Sequence, residues 1–170
     1  MDNNLKAPQY KVSKADRSKS NGHQAFLVLF TGLSGAGKST LANSLEYFLY
    51  QKNIKTYTLD GDNIRKGVNK NLNFSPQDRS ENNRIIGEIS KLFIDAGTVV
   101  LAAIIAPYQK DRTIIKNIVS ANNYIEVFVN TSLETCEKRD LKDLYKKARA
   151  GEIKNTTCIS SPYEIPINQI

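Results

Sequence analysis

Gly32-Leu33-Ser34-Gly35-Ala36-Gly37-Lys38-Ser39 follows directly on the apolar run Ala25-Phe26-Leu27-Val28-Leu29-Phe30-Thr31. It fits the phosphate-binding pattern G-x-x-x-x-G-K-[ST] at every fixed position, between a strand and an amphipathic helix, where that pattern has to sit. A triphosphate carries concentrated charge that must lie close to backbone, so Gly32, Gly35 and Gly37 let the loop wrap it with N–H groups that no side chain obstructs. Lys38 adds a mobile cation. The helix opening at Ser39 points the positive end of its dipole at the same phosphates, and the Ser39 hydroxyl is placed to ligand a magnesium ion. The competing reading, a glycine-rich turn with a chance Lys-Ser, leaves the strand before it and the helix after it unexplained. The sequence predicts ATP or GTP binding.

Working outward, the helix after the loop is expected to run to about Lys52, with Leu41, Leu45, Phe48 and Leu49 as its buried stripe. A short strand, Thr56 to Leu59, ends in Asp60-Gly61-Asp62-Asn63, at the strand end where open α/β sheets bind ligands. The magnesium of a nucleotide needs hard oxygen ligands and an attacking hydroxyl needs a proton acceptor, so two carboxylates here have two jobs. A solvated Asp-Gly turn is the alternative, and the phosphate loop upstream weighs against it.

A loop containing Arg65, Lys66 and Phe74 leads to Ser75-Pro76-Gln77-Asp78, a helix start with Ser75 as N-cap. Ile85, Ile86, Ile89, Leu92 and Phe93 are its expected buried face, and Gly97 ends it. Periodicity alone puts Arg79 and Asn82 off that face, as solvated surface. Thr98 to Ile105 is a further apolar strand ending at Ala106-Pro107-Tyr108, and residues 109–120 are weakly helical. Tyr124 to Val129 is another strand, Asn130-Thr131-Ser132 caps a helix carrying Leu133 and Cys136, a basic segment from Lys138 to Arg149 closes on Gly151, and the rest is loop-like. This alternation predicts a parallel sheet with helices on both faces.

At 170 residues and 40% hydrophobic, the chain suits one domain with its own core, residues 25–170, preceded by a loose basic arm over residues 1–24 that partly orders against the body. The net charge of +7 is concentrated: residues 1–24 contribute +3 and residues 138–154 contribute +4. No nucleic-acid motif accompanies these clusters, so anionic nucleotides explain them more economically than nucleic acid. Cys136 and Cys158 lack metal-ligand spacing and read as ordinary thiols of a reducing compartment. The longest apolar run, Val99 to Ala106, is too short to cross a bilayer, and the expectation is a cytoplasmic protein without a membrane partner. The single histidine, His23, lies upstream of the first strand, so acid–base work falls to a carboxylate.

The set FTGLSGAGKST (30–40), LDGDNIR (59–65), NFSPQDRSENNR (73–84), IEVFVNTSLETCEKRD (125–140) and LYKKARAGEIKN (144–155) closely resembles the adenylyl-sulfate kinases, which phosphorylate adenosine 5′-phosphosulfate (APS) on its 3′-hydroxyl. The resemblance runs from about Val12 to Pro166. It implies a P-loop NTPase fold, a three-layer α/β/α domain on a mainly parallel sheet, with a mobile lid over about residues 138–160. It implies ATP held by Gly32, Leu33, Ser34, Gly35, Ala36, Gly37, Lys38, Ser39 and Thr40, with Arg139 at the ATP base and magnesium at Ser39 and Asp60. Lys38, Asp60 and Asp62 would be catalytic, Asp62 as base or hydroxyl-orienting group. APS would meet Asp62, Arg65, Phe74, Arg79, Asn82, Ile105, Ala106, Lys142 and Lys147, with Phe74 stacked on adenine; Lys146 also belongs to the lid. This overturns the surface reading of Arg79 and Asn82.

There are departures from the family pattern. The family usually has serine at the position of Ala106, often described as a phosphoserine intermediate; alanine cannot carry a phosphoryl group, so transfer here would be direct or would use a nucleophile that the sequence does not identify. Where the family reads K-N-F-T-G-I-D, this chain has Lys154-Asn155-Thr156-Thr157-Cys158-Ile159-Ser160. Thr156 thus replaces an aromatic that would sandwich the adenine opposite Phe74, a loss on the order of 1–3 kcal/mol of base binding. The chain stops at Ile170 where relatives continue, leaving the last sheet edge bare or covered by a second copy in a homodimer. Two other readings remain: a kinase of the same build for another nucleotide or small hydroxyl compound, motivated by Thr156, and a non-catalytic nucleotide-binding regulator, motivated by Ala106.

Overall fold

The computed structural model describes residues 8–140, 143–153 and 156–167. Four five-residue strands form its sheet: β1 (Leu27–Thr31), β2 (Thr56–Asp60), β3 (Val99–Ala103) and β4 (Tyr124–Phe128). Their order is β2-β3-β1-β4 and every pairing is parallel, with Leu29 opposite Ala102 and Glu126, and Leu59 opposite the same Ala102.

The central strands are apolar at every position because both faces are covered. Side chains alternate between the two faces along a strand. Leu27 and Leu29, with Val100, Ala102 and Ile104, pack under Ile86, Ile94, Ile115 and Val119 of α4 (Pro76–Asp95) and α5 (Gln109–Val119). Val28 and Phe30, with Val99, Leu101 and Ala103, face Ala42, Leu45 and Leu49 of α2 (Lys38–Tyr50). This is the expected three-layer α/β/α arrangement. Each fully buried aliphatic of these strands is worth roughly 1.5–3 kcal/mol, so the central pair β1 and β3 anchors the loops at its carboxyl end.

Two expected stripes differ in detail. On α2 the buried residue is Ala42, while Leu41 and Phe48 are 46% and 53% exposed, because the small side chain lets the helix lie close to the sheet. On α4, Leu92 is 71% exposed, and Ile86, Gly87, Ser90 and Ile94 face inward; a side chain at Gly87 would press on Ile118 and Ile115 of α5. Arg65, expected in a loop, lies in a short helix, α3 (Gly61–Lys66).

The basic arm carries a helix, α1 (Lys14–Asn21), opened by a reciprocal Ser13–Asp16 capping box. It is tied to the end of α4 by an Arg17–Asp95 ion pair and by Asn21 donating to the Gly97 carbonyl. After β4 come α6 (Leu133–Arg139) and α7 (Leu144–Arg149). They pack Cys136 and Tyr145 against Leu33 and Ala36, so the segment expected to form a lid is seated on the phosphate loop.

The α2 crossover leads from β1 to β2 on one face, and the α5 crossover leads from β3 to β4 on the other. The chain therefore leaves the adjacent carboxyl ends of β1 and β3 in opposite directions, the place where a parallel sheet opens a crevice.

Candidate functional site

The loop after β1 is shaped by its glycines and by the side chains that hold its carbonyls. Gly32 has φ +147, and a Cβ there would stand 2.7 Å from the Val129 carbonyl oxygen, so no other residue fits without movement. Four successive carbonyls each accept from a side chain: Leu33 from Lys38 Nζ (2.6 Å), Ser34 from the Tyr145 hydroxyl (2.9 Å), Gly35 from Arg139 Nη1 (3.2 Å) and Ala36 from Thr131 Oγ1 (2.9 Å). Holding the carbonyls this way favours presentation of the loop's N–H groups to an anion at the start of α2.

Asp60, at the carboxyl end of β2, does two things at once. Its Oδ1 accepts from the backbone N–H groups of Asp62 (3.0 Å) and Asn63 (3.4 Å), capping α3, while its Oδ2 accepts from Ser39 Oγ at 2.8 Å. The cap places Asp62 in the first turn of α3, exposed at the rim. Hydroxyl and carboxylate oxygen thus meet at the mouth of the phosphate loop.

The opposite wall comes from α3, α4 and the turn between them. Arg65 Nη1 donates to the Asn73 carbonyl (3.0 Å) and its guanidinium lies 4.6 Å from the Phe74 ring centre. Arg79 donates through Nε to the Phe74 carbonyl (3.0 Å) and through Nη1 to Thr157 Oγ1 (3.1 Å). Burial is the main cause holding both guanidinium groups below the usual arginine range, and the Arg79 charge adds to it at Arg65. Asn82 is buried, its Oδ1 accepting from the buried Asn69 at 2.9 Å, and its neighbour Asn83 donates to Asp111 at 3.2 Å. Two cations and a buried amide thus gather around one space.

That space is a cleft of about 330 Å³ which continues to the phosphate loop. Of the residues singled out in the sequence it brings together Ser34, Gly35, Lys38, Ser39, Asp60, Asp62, Arg65, Phe74, Arg79, Asn82, Ile105, Ala106 and Thr156. Arg139 is exposed and lies across the outside of the phosphate loop, and Lys146 and Lys147 are exposed on α7, away from the cleft lining. Lys142 lies outside the described residues. The sequence reading missed Asn83, Pro107, Leu144, Tyr145, Ile153 and Thr157, which also line the cleft. Only Tyr145 carried a local signal, as an aromatic within an otherwise basic run.

The model of the adenylylsulphate kinase family matches residues 24–169, nearly the whole chain. The chain belongs to the adenylyl-sulfate kinase family. Among curated members, it is 55% identical over 157 residues to the adenylyl-sulfate kinase of Geotalea daltonii, covering 92% of this chain and 77% of that one. It is 52% identical over 158 residues to that of Pseudomonas entomophila, covering 93% and 76%. A solved structure of the Mycobacterium tuberculosis APS kinase in complex with AMPPNP and APS superposes with a TM-score of 0.83 at 45% identity, over 86% of each chain. The function of the family, ATP-dependent phosphorylation of adenylyl sulfate, is the function of this chain.

Set within the adenylyl-sulfate kinases, the two departures have defined places. Ala106 is buried in the cleft wall with φ +41, its carbonyl held by the buried Arg112 at 2.8 Å. Its methyl group offers no nucleophile. Thr156 is also buried, and its carbonyl accepts from the N–H groups of Ile159, Ser160 and Ser161. Its backbone closes a turn, and its side chain lines the cleft with a hydroxyl and a methyl group where the family pattern has an aromatic ring. Among the described residues no helix is long and apolar enough to cross a membrane.

Proposed function

We propose that this chain carries out its kinase reaction by direct transfer of the ATP γ-phosphoryl group to the 3′-hydroxyl of APS, with the donor at the phosphate loop and the acceptor between Arg65, Phe74, Arg79 and Asn82. The observation that carries the reading is the convergence of a buried guanidinium, Arg79, and a half-buried one, Arg65, on the cleft that opens at Lys38 and Ser39. Burying neighbouring like charges is costly, and a dianionic phosphosulfate offsets that cost with charge-assisted hydrogen bonds.

Residues 32–40 hold the triphosphate. Lys38, whose Nζ rests on the Leu33 carbonyl, exchanges that partner for phosphate oxygens. Asp62 is exposed at the cleft rim, two residues after the cap, and orients the acceptor hydroxyl and takes its proton. With alanine at 106 the phosphoryl group has no stopping place on the protein, so the γ-phosphorus and the 3′-oxygen meet in line.

Ser39 Oγ and the Asp60 carboxylate are hard oxygen donors 2.8 Å apart, the donor type magnesium takes when phosphates supply the rest of its shell. Bound there, magnesium would neutralise phosphate charge. Arg139 already donates to the Gly35 carbonyl of the phosphate loop, within reach of a nucleotide held there, whereas Lys147 on α7 would meet APS only if α7 shifts toward the cleft.

The test is ADP release from magnesium ATP with and without APS, with detection of 3′-phosphoadenosine 5′-phosphosulfate. APS-dependent release with that product supports the reading. Release with another nucleotide in preference to APS would favour a different acceptor, and ATP binding without acceptor-dependent release would favour a regulator.

A further inference from the structure

The guanidinium of Arg79 is held from two directions by atoms far apart in sequence: Nε by the Phe74 carbonyl five residues earlier, Nη1 by Thr157 Oγ1 seventy-eight residues later. Arg79 and Thr157 are 8% and 4% exposed and both line the cleft. A planar fork recognises an anion only in one orientation, and two fixed acceptors hold that plane.

The turn that presents Thr157 does not need the arginine to hold its shape. The Thr156 carbonyl accepts from three successive N–H groups, Cys158 N–H donates to the Ser161 carbonyl at 2.7 Å, and Thr156 N–H donates to Ser160 Oγ at 3.0 Å. The chain beyond it is pinned across the carboxyl ends of the strands. The Tyr163 hydroxyl pairs with Thr31 Oγ1 at 2.8 Å, Glu164 N–H donates to the Pro107 carbonyl at 2.8 Å, and Arg112 Nη2 donates to the Glu164 carbonyl at 2.7 Å. Thr31 is the last residue of β1, immediately before the phosphate loop. One segment, residues 156–167, therefore reaches from the end of β1 to the arginine on the acceptor wall.

We infer that Thr157 is a positioning residue for the acceptor: its hydroxyl fixes the plane of the Arg79 guanidinium, so that the segment 156–167 sets acceptor affinity without touching the nucleotide donor. The inference rests on the acceptor site described above. Replacing the hydroxyl with a methyl, Thr157→Val, preserves volume and removes the acceptor that Arg79 Nη1 uses here. The side chain then reorients toward another partner.

The experiment measures steady-state constants for both substrates in the unaltered chain, Thr157→Val and Thr157→Ser, with thermal melts to confirm that each folds. The expected result is a rise of about 10-fold in KM for APS in Thr157→Val, with KM for ATP and kcat within about threefold of the unaltered chain, the scale of a lost hydrogen bond to a charged group. Thr157→Ser should recover most of the APS affinity. An unchanged KM for APS in Thr157→Val, equal rises for both substrates, or a serine variant no better than valine overturns the inference alone. Absence of APS turnover in the unaltered chain overturns the functional reading and this inference with it. If Thr157→Val does not fold, Thr157→Ser and Thr157→Ala are compared in the same assay, with the same outcomes deciding.

Discussion

Asp60 joins a structural contact and a chemical one in a single carboxylate, and two substitutions separate them. Its Oδ1 caps α3 through the N–H groups of Asp62 and Asn63, and its Oδ2 accepts from Ser39 Oγ. Asp60→Asn keeps one oxygen for the cap and removes the charge; asparagine and aspartate cap helices about equally, so stability should change by less than about 0.5 kcal/mol. Asp60→Ala removes both oxygens and should cost about 1 kcal/mol for the cap. In a domain of this size that is a fall of about 2–4 °C in Tm. Activity should divide differently. If the carboxylate supports the metal that Ser39 helps to hold, either variant loses about 10–100-fold in turnover at fixed magnesium, and added magnesium recovers part of it. Calorimetric melts and coupled ADP release at several magnesium concentrations read the two effects separately. Near-normal turnover in Asp60→Asn would refute the metal role, and an Asp60→Ala melt equal to that of Asp60→Asn would refute the cap.

Lys38→Ala and Asp62→Asn should leave the melt within a few degrees of the unaltered chain and lower turnover on the order of 100-fold or more, since each removes a group aimed at developing charge or at the attacking hydroxyl; a loss of less than about threefold sinks the assigned roles. Ala106→Ser should not raise APS-dependent turnover beyond about twofold, because direct transfer needs no protein nucleophile; a large gain, with label from γ-phosphate trapped on the protein, would contradict direct transfer. Gly32→Ala drives a methyl group to 2.7 Å from the Val129 carbonyl at φ +147. It should destabilise by about 1–3 kcal/mol and weaken ATP binding more than APS binding, read by melts with and without each ligand.

The frame of the fold was legible because its signals are local. β1 and β3 show unbroken apolar runs, the phosphate loop fixes a strand before it and a helix after it, and Ser75-Pro76 marks the start of α4 at the residue where it begins. Helix faces were less legible. Leu41, Phe48 and Leu92 fit an apolar period and are exposed, while Ala42, Gly87 and Ser90 lie against the sheet or α5, because close approach selects small side chains that hydropathy does not single out. The donor half of the site could be read from a contiguous motif. The side chains that hold its carbonyls, Thr131, Arg139 and Tyr145, come from about a hundred residues away, and no spacing in the sequence links them to the loop.

The acceptor half was hidden for a physical reason. Arg79 and Asn82 lie off the apolar stripe of α4, and a helix read alone assigns such positions to water. They are buried because Phe74, Asn69 and Thr157, on other elements, cover that face with polar contacts. Periodicity reports how a helix meets the sheet; it is silent about a second, polar wall built on the helix's other side. Desolvation that lowers the proton affinity of two arginines works against the folded state unless something compensates. The compensation expected at a site of this kind is a bound anion, so ligand should stabilise this wall more than any other part of the molecule. Hydrogen exchange would show it as slowed exchange at the start of α4 and at Thr156–Ser161 on addition of APS, and equal protection throughout the sheet would argue against an acceptor wall organised by its arginines.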